Sequence, residues 1–291
     1  MPDRITAARP GSRRSPTARR LHRRLIELPQ GEVQVRIVEG PPPAIVFLHQ
    51  TASASSSFVP VLRQLRLPNR LIAIDTPGFG GSFDPRGWPS VASYSSWILA
   101  VLERLKCREM HLFGHHTGGS FALAIARAHP KRVRSVMILG PVLMSAAERR
   151  AFRSAFSTPI TPRADGSHLT ENWNYAHHYN RRCAPEVIHA EVVNMLRAWK
   201  GRAQAYRAVS FHDDAAQLAK LEAPLLLLST REDYFYPGFD RLRATLPGAT
   251  AGIVGGENFP TLVDGAGVAR AIEAFVRGLA SAGKRGTGGR A

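Results

Sequence analysis

Apolar residues along the chain fall into short blocks separated by amphipathic stretches. Residues 32–40, EVQVRIVEG, alternate apolar and polar, as in a strand with one face on a core. Residues 43–49, 70–75, 110–114, 133–140 and 224–229 are instead nearly continuous apolar runs (PAIVFLH and PLLLLS among them). A strand needs that character when both its faces are covered. A weaker run, ATAGIV at 249–254, closes the series. Between the runs, residues 58–65, 91–105, 117–129, 239–246 and 268–279 place apolar side chains at helical spacing. Alternation of this kind predicts an α/β fold with a mostly parallel central sheet flanked by helices.

One stretch breaks the rhythm. Residues 144–221 hold no buried-strand pattern but several helix-like segments rich in aromatics, His and Arg, including ENWNYAHHYN and APEVIHAEVVNMLRAW. The stretch is too long for a connecting loop and predicts a helical cap over one end of the sheet. Within it Trp173, His177 and Arg181 share one helical face, and Tyr175 and Tyr179 share another. Trp173 and His177 are the candidates for a pocket roof, although an amphipathic helix packed on its neighbours gives the same pattern. The His177–His178 pair is no metal signature, because adjacent helical residues point apart and no carboxylate or Cys stands at ligand spacing. No metal site and no cofactor are expected.

Charge changes this picture little. The 291 residues carry a formal net charge of +17, but 1–25 holds eight Arg against one Asp, and 277–291 holds three Arg and one Lys without an acid. The excess therefore sits largely at the two ends, which are also rich in Gly, Pro, Ser and Ala, a tail-like composition. A specific nucleic-acid partner is not expected, since that needs a basic face on the folded part. The expected organisation is a basic tail at 1–25, a core at 26–143 and 222–280, the cap at 144–221, and a flexible tail at 281–291. The Arg-rich start has the composition of an organelle transit peptide and equally of an over-extended start. Two cysteines far apart, Cys107 and Cys183, fit a reducing compartment, and no run is long enough to span a membrane. A cytoplasmic location is the expectation; the oligomeric state is not legible.

The chemistry centres on MHLFGHHTGGSFALAIARAHP, residues 110–130, where an apolar run ends in Gly114-His115-His116-Thr117-Gly118 and an Ala-rich helical pattern follows. Small residues two before and two after one position permit a sharp strand-to-helix elbow, and Gly114 and Gly118 satisfy that for His116 alone. Three further stretches keep the same order: FLHQTASASSSF, IDTPGFGGSFDP and APLLLLSTREDYFYP. Together these resemble the α/β-hydrolase family, in its branch with a helical cap after the sixth strand, from about residue 33 to 276. The resemblance implies that His49-Gln50-Thr51 is the oxyanion loop, that Asp233 holds the position of the catalytic acid, and that backbone N–H groups of Thr51 and Thr117 converge as oxyanion donors.

Two family identities are replaced. His116 stands where the nucleophile belongs, and Asn258, within IVGGENFPTLVD, where the catalytic histidine belongs. The acyl-serine mechanism therefore does not carry over. An imidazole reaches farther than a hydroxymethyl, so the ring can enter the space vacated at position 258 and meet Asp233. The expected result is a His116–Asp233 general-base dyad acting on a small organic substrate, as a hydrolase or with lyase-like chemistry, with Asn258 orienting water or a carbonyl. Direct attack by the imidazole on an activated acyl group is the variant of this chemistry. His115 and His49 read as scaffold residues, with a direct role for His49 kept open. The alternative is a non-catalytic ligand- or partner-binding protein on the same fold.

Overall fold

The computed structural model describes residues 19–287. Eight strands form one sheet in the order β1-β2-β4-β3-β5-β6-β7-β8. They are β1 (Leu21–Leu28), β2 (Gly31–Val38), β3 (Ala44–Leu48), β4 (Leu71–Ile74), β5 (Met110–His115), β6 (Val133–Leu139), β7 (Leu225–Ser229) and β8 (Thr250–Ile253). The strands β1 and β2 pair antiparallel, as do β2 and β4; every later pairing is parallel. The α/β architecture expected from the alternation is the one observed.

Strand periodicity sorts the core into two layers. Ile45, Phe47, Phe113, Met137, Leu139, Leu226 and Leu228 point to one side. There they meet α1 (Val59–Gln64) and the long α11 (Gly265–Thr287) through Val61, Leu62, Val268 and Ile272. The intervening residues Val46, Leu48, Leu112, Val136, Ile138 and Leu227 point the other way. They pack on α2 (Val91–Arg104), α3 (Thr117–Ala128) and α9 (Tyr236–Thr245), and α10 (Pro260–Val263) precedes α11. Between β6 and β7 lie five helices: α4 (Ala146–Phe156), α5 (Ser167–His178), α6 (Pro185–Arg197), α7 (Trp199–Ser210) and α8 (Asp214–Leu218).

Both ends correct the tail boundaries. Residues 21–25, expected in a basic tail, belong to β1, and the Arg19 guanidinium donates to the carbonyls of Leu67, Glu39 and Asn69. An edge strand with its arginines turned to solvent has the composition of a tail but still pairs through its backbone. At the other end α11 continues through the start of the expected 281–291 tail to Thr287. The rest of both expected tails, residues 1–18 and 288–291, lies outside the described residues.

Candidate active site

The elbow is built from close backbone contacts. A Cβ on Gly118 would lie 2.0 Å from the Leu48 carbonyl oxygen, and one on Gly114 would lie 2.3 Å from that of Gly118. The start of α3 can therefore seat against the end of β3 only with glycine at both places. His116 sits between them at φ 44° and ψ −112°, left-handed backbone that costs a non-glycine residue about 1–3 kcal/mol. The turn is fixed on either side: the His116 N–H donates to the Leu139 carbonyl (2.9 Å), and its carbonyl accepts from Gly119 N (2.7 Å).

The imidazole is thereby aimed at the loop after β7. His116 Nε2 lies 2.7 Å from Asp233 Oδ2, and the Asp233 side chain is fully buried. Asp233 Oδ1 accepts from Phe235 N (2.7 Å), which holds the carboxylate plane. A carboxylate accepts, so Nε2 carries the proton and a neutral ring keeps its lone pair on Nδ1. That nitrogen is bonded to Cγ and stays near the elbow, while Nε2 reaches outward. A single ring thus spans from the elbow apex to the acid. Thr117 is the first residue of α3, where a backbone N–H has no intrahelical acceptor.

A cavity of about 70 Å³ opens above this pair. Its floor is polar, with Gln50, Thr51, His116, Thr117 and Asn258. Its roof is aromatic and comes from the cap and the acid loop: Phe152, Phe156, Tyr175, Tyr179, Tyr206 and Phe235. The Tyr206 hydroxyl donates to the Thr51 carbonyl (3.1 Å) and lies 3.0 Å from the Tyr175 hydroxyl, so α7 is tied directly to the loop after β3. Burial pushes the phenols of Tyr175 and Tyr206 up, which keeps them as neutral hydrogen-bonding groups. Behind them the buried Arg202 guanidinium lies 4.0 Å from the Tyr175 ring centroid, a cation over an aromatic face.

His115 is fully buried beside His116, with ring centroids 4.5 Å apart, and neither of its ring nitrogens has a hydrogen-bond partner among the described residues. Burial first, then the neighbouring His116 and His49, holds it well below the ordinary histidine range, so it is neutral. Ligand atoms of His115, His116 and Asp233 fall within 4.8 Å of one another. That donor set supplies one negative charge, stands at the positive end of α3, and leaves His115 walled off from the cavity, a poor match to a cation. The contact between His116 and Asp233 is accordingly read as a proton-carrying hydrogen bond.

The order of strands, the elbow and the acid loop decide the architecture. The fold is that of the alpha/beta hydrolases. The family model described as alpha/beta hydrolase fold matches residues 43–159. The chain is similar to a haloalkane dehalogenase of Agrobacterium fabrum (strain C58 / ATCC 33970), 31% identical over 118 residues. That match covers 40% of this chain and 39% of the relative. It is likewise 31% identical over 123 residues to a fluoroacetate dehalogenase of Burkholderia sp, covering 40% of each. The chain thus spans about two fifths of the length of these curated relatives. In three dimensions it is similar to a thermophilic esterase from Thermogutta terrifontis, with a TM-score of 0.72 and 19% identity, covering 89% of this chain and 99% of the esterase.

Within this alpha/beta hydrolase frame, several expected site residues sit differently from expectation. Trp173 and His177 do not line the cavity; both are exposed on the outer face of α5, and the opposite face supplies Tyr175 and Tyr179. His49 does not line it either. Its Nε2 accepts from Thr76 N (3.0 Å) and its Nδ1 donates to the Gln50 carbonyl (2.8 Å), so both nitrogens are engaged in scaffold. Asn258 lines the cavity, but its amide is occupied: Oδ1 accepts from Tyr234 N (3.2 Å) and Nδ2 donates to the Tyr179 carbonyl (2.9 Å). It ties the acid loop to the cap instead of presenting a free amide to water. Gln50, Thr51 and Thr117 line the cavity beside His116. Glu191, which is not among the residues singled out from sequence, also lines the cavity. Its signal was present, since it stands three residues after Ile188 and four before Met195 on the buried stripe of α6.

Proposed function

We propose that the chain is a member of the alpha/beta hydrolase family that acts on a small organic substrate, as a hydrolase or with lyase-like chemistry, through a His116–Asp233 general-base dyad. The observation that carries this reading is the 2.7 Å hydrogen bond from His116 Nε2 to Asp233 Oδ2, with the same ring facing the cavity. In hydrolysis, His116 Nδ1 takes a proton from water as the water oxygen bonds to the substrate carbonyl carbon. Asp233 stabilises the imidazolium that forms. The backbone N–H groups of Thr51 and Thr117 receive the developing oxyanion at the start of α3. Collapse of the adduct breaks the bond to the leaving group, and the imidazolium returns the proton. With a substrate bearing an acidic C–H, the same nitrogen takes that proton instead, giving the lyase-like route. Named dehalogenases among the relatives and an esterase among the similar structures support a small organic substrate.

The deciding experiment is a turnover screen over small esters, lactones and β-hydroxy ketones, with His116→Ala beside the wild type. A positioned base contributes typically about 10²–10⁴-fold, so the variant should lose most of any activity found. Full turnover in His116→Ala would remove the dyad and leave the ligand-binding reading.

A further inference from the structure

Glu191 is the one carboxylate of the cap that lines the cavity, and it is almost wholly buried on the apolar stripe of α6. Its Oε1 accepts from Asn194 Nδ2 (2.9 Å), whereas Oε2 has no hydrogen-bond partner among the described residues. The Ser53 hydroxyl, on the turn after Thr51, lies close enough to act on the carboxyl but makes no well-aligned hydrogen bond with it. Carboxyl oxygens buried without partners are costly and call for a reason.

Among the described residues no charged side chain acts on the group. Its polar neighbours are Ser53 from the oxyanion loop and Asn194 from its own helix. His116, Tyr175, Tyr179 and Tyr206 line the same cavity. Burial therefore pushes its carboxyl up to about 7, against the opposing effect of Ser53 and Asn194. A carboxylic acid kept neutral near physiological pH is a hydrogen-bond donor as well as an acceptor.

Building on the dyad reading, we infer that Glu191 is the cavity's acid: its carboxyl group donates to an oxygen of a neutral, carbonyl-bearing substrate with a flat apolar body, held in the cavity that the base His116 also lines. The aromatic roof suits the flat body, and the absence of a nearby charge partner suits a neutral molecule over an anion. In turnover, His116 Nδ1 takes a proton from water as the water oxygen bonds to the carbonyl carbon, and the Glu191 carboxyl donates a hydrogen bond to the carbonyl oxygen as it gains charge, beside the N–H groups of Thr51 and Thr117. Collapse of the adduct breaks the bond to the leaving group, which takes the imidazolium proton, and Glu191 keeps its own.

The test uses the full chain with acetophenone as the neutral carbonyl probe. In protein labelled with ¹³C-glutamate, the Glu191 side-chain carbon, assigned by its disappearance in Glu191→Gln, should titrate near neutrality and shift upward when acetophenone is added. Affinity for acetophenone, measured by calorimetry, should be flat at low pH and fall about 100-fold two units above that midpoint, as the competent fraction shrinks. Glu191→Gln keeps a donor and should bind with little pH dependence, and Glu191→Leu should lose binding. Titration in the ordinary carboxylate range, no acetophenone binding, a pH-independent wild type, or a preference for benzylammonium would each overturn the assignment. His116→Ala should leave the Glu191 titration near neutrality, so a failure of the dyad appears in turnover and a failure of the Glu191 assignment appears in the titration.

Discussion

Gly140 and His116 are in contact such that a single methyl group would separate the ring from its acid. A Cβ built on Gly140 lies 2.3 Å from His116 Nε2 and 2.6 Å from Asp233 Oδ2, and the residue stands at φ 61°. Gly140→Ala therefore meets strained backbone and the hydrogen bond at once. Turnover of any substrate found should drop close to the level of His116→Ala, with a melting temperature lowered by several degrees. Undiminished activity in the alanine variant would mean that the 2.7 Å bond is not used.

Asn258 holds two elements together through one amide. Breaking it leaves the Tyr234 N–H and the Tyr179 carbonyl short of a partner, and the backbone N–H of Asn258 still donates to Asn180 Oδ1 (3.0 Å). Asn258→Ala should cost about 1–3 kcal/mol in denaturant unfolding. It should also loosen the loop carrying Asp233, lowering kcat more than it raises KM. A variant with native stability would show that water replaces the amide without penalty.

The amino terminus offers a graded deletion. A chain beginning at Arg19 retains every described contact and should melt like the full protein. One beginning at Gly31 loses the guanidinium bonds of Arg19 and all of β1, including buried Leu28 and the packed Ile26. Its exposed β2 edge should lower the melting temperature and promote association. Equal melting of the two shortened chains would contradict the pairing.

Stability should rise with pH from about 4 to about 7 and then level off, because three histidines act against one carboxyl. His49, His111 and His115 are held below the ordinary 6.5, His111 to about 4, chiefly by burial. Below pH 6.5 the unfolded chain binds protons that the folded chain refuses, so each such group disfavours folding by up to about tenfold per pH unit. The loss from His111 continues down to about pH 4 and then levels off. Glu191 acts in the opposite sense: raised from 4.5 to about 7, it stays protonated in the fold, and its stabilisation is lost as pH rises through that interval. Urea unfolding across pH 4–8 should show stability rising more steeply between about pH 5 and 7 in Glu191→Gln than in the wild type. Identical slopes would mean Glu191 ionises normally.

How far these features were legible depends on the range of the forces that set them. His116 at the elbow is written locally, in Gly114 and Gly118, because the constraint spans four residues of backbone. The pairing with Asp233, 117 residues away, needed the order of strands as an intermediate. Trp173 against Tyr175 was not decidable from α5 alone: a helix presents both faces to the eye, and only contact with Tyr206 and Arg202 selects the inner one. The β1 strand was hidden because an edge strand turns its arginines to solvent and hydrogen-bonds through backbone that carries no sequence label.

The last prediction separates the ring's two jobs. His116 Nε2 occupies Asp233, and Nδ1 stays at the elbow, so one imidazole stands where a serine hydrolase has two side chains. Replacing it with serine removes the base and leaves Asp233 without its partner, while Asn258 cannot accept a proton. His116→Ser should therefore react with a fluorophosphonate no faster than free serine, and the wild type should remain unlabelled at position 116. Adding Asn258→His returns an imidazole from the neighbouring loop, whose Tyr234 N–H already lies within reach of that side chain. The new ring can contact the freed Asp233 and activate Ser at position 116, and mass spectrometry should find the double variant labelled there. Labelling of the single His116→Ser variant at a comparable rate would mean that another base serves the elbow, and the dyad would lose its claim to be the cavity's proton acceptor.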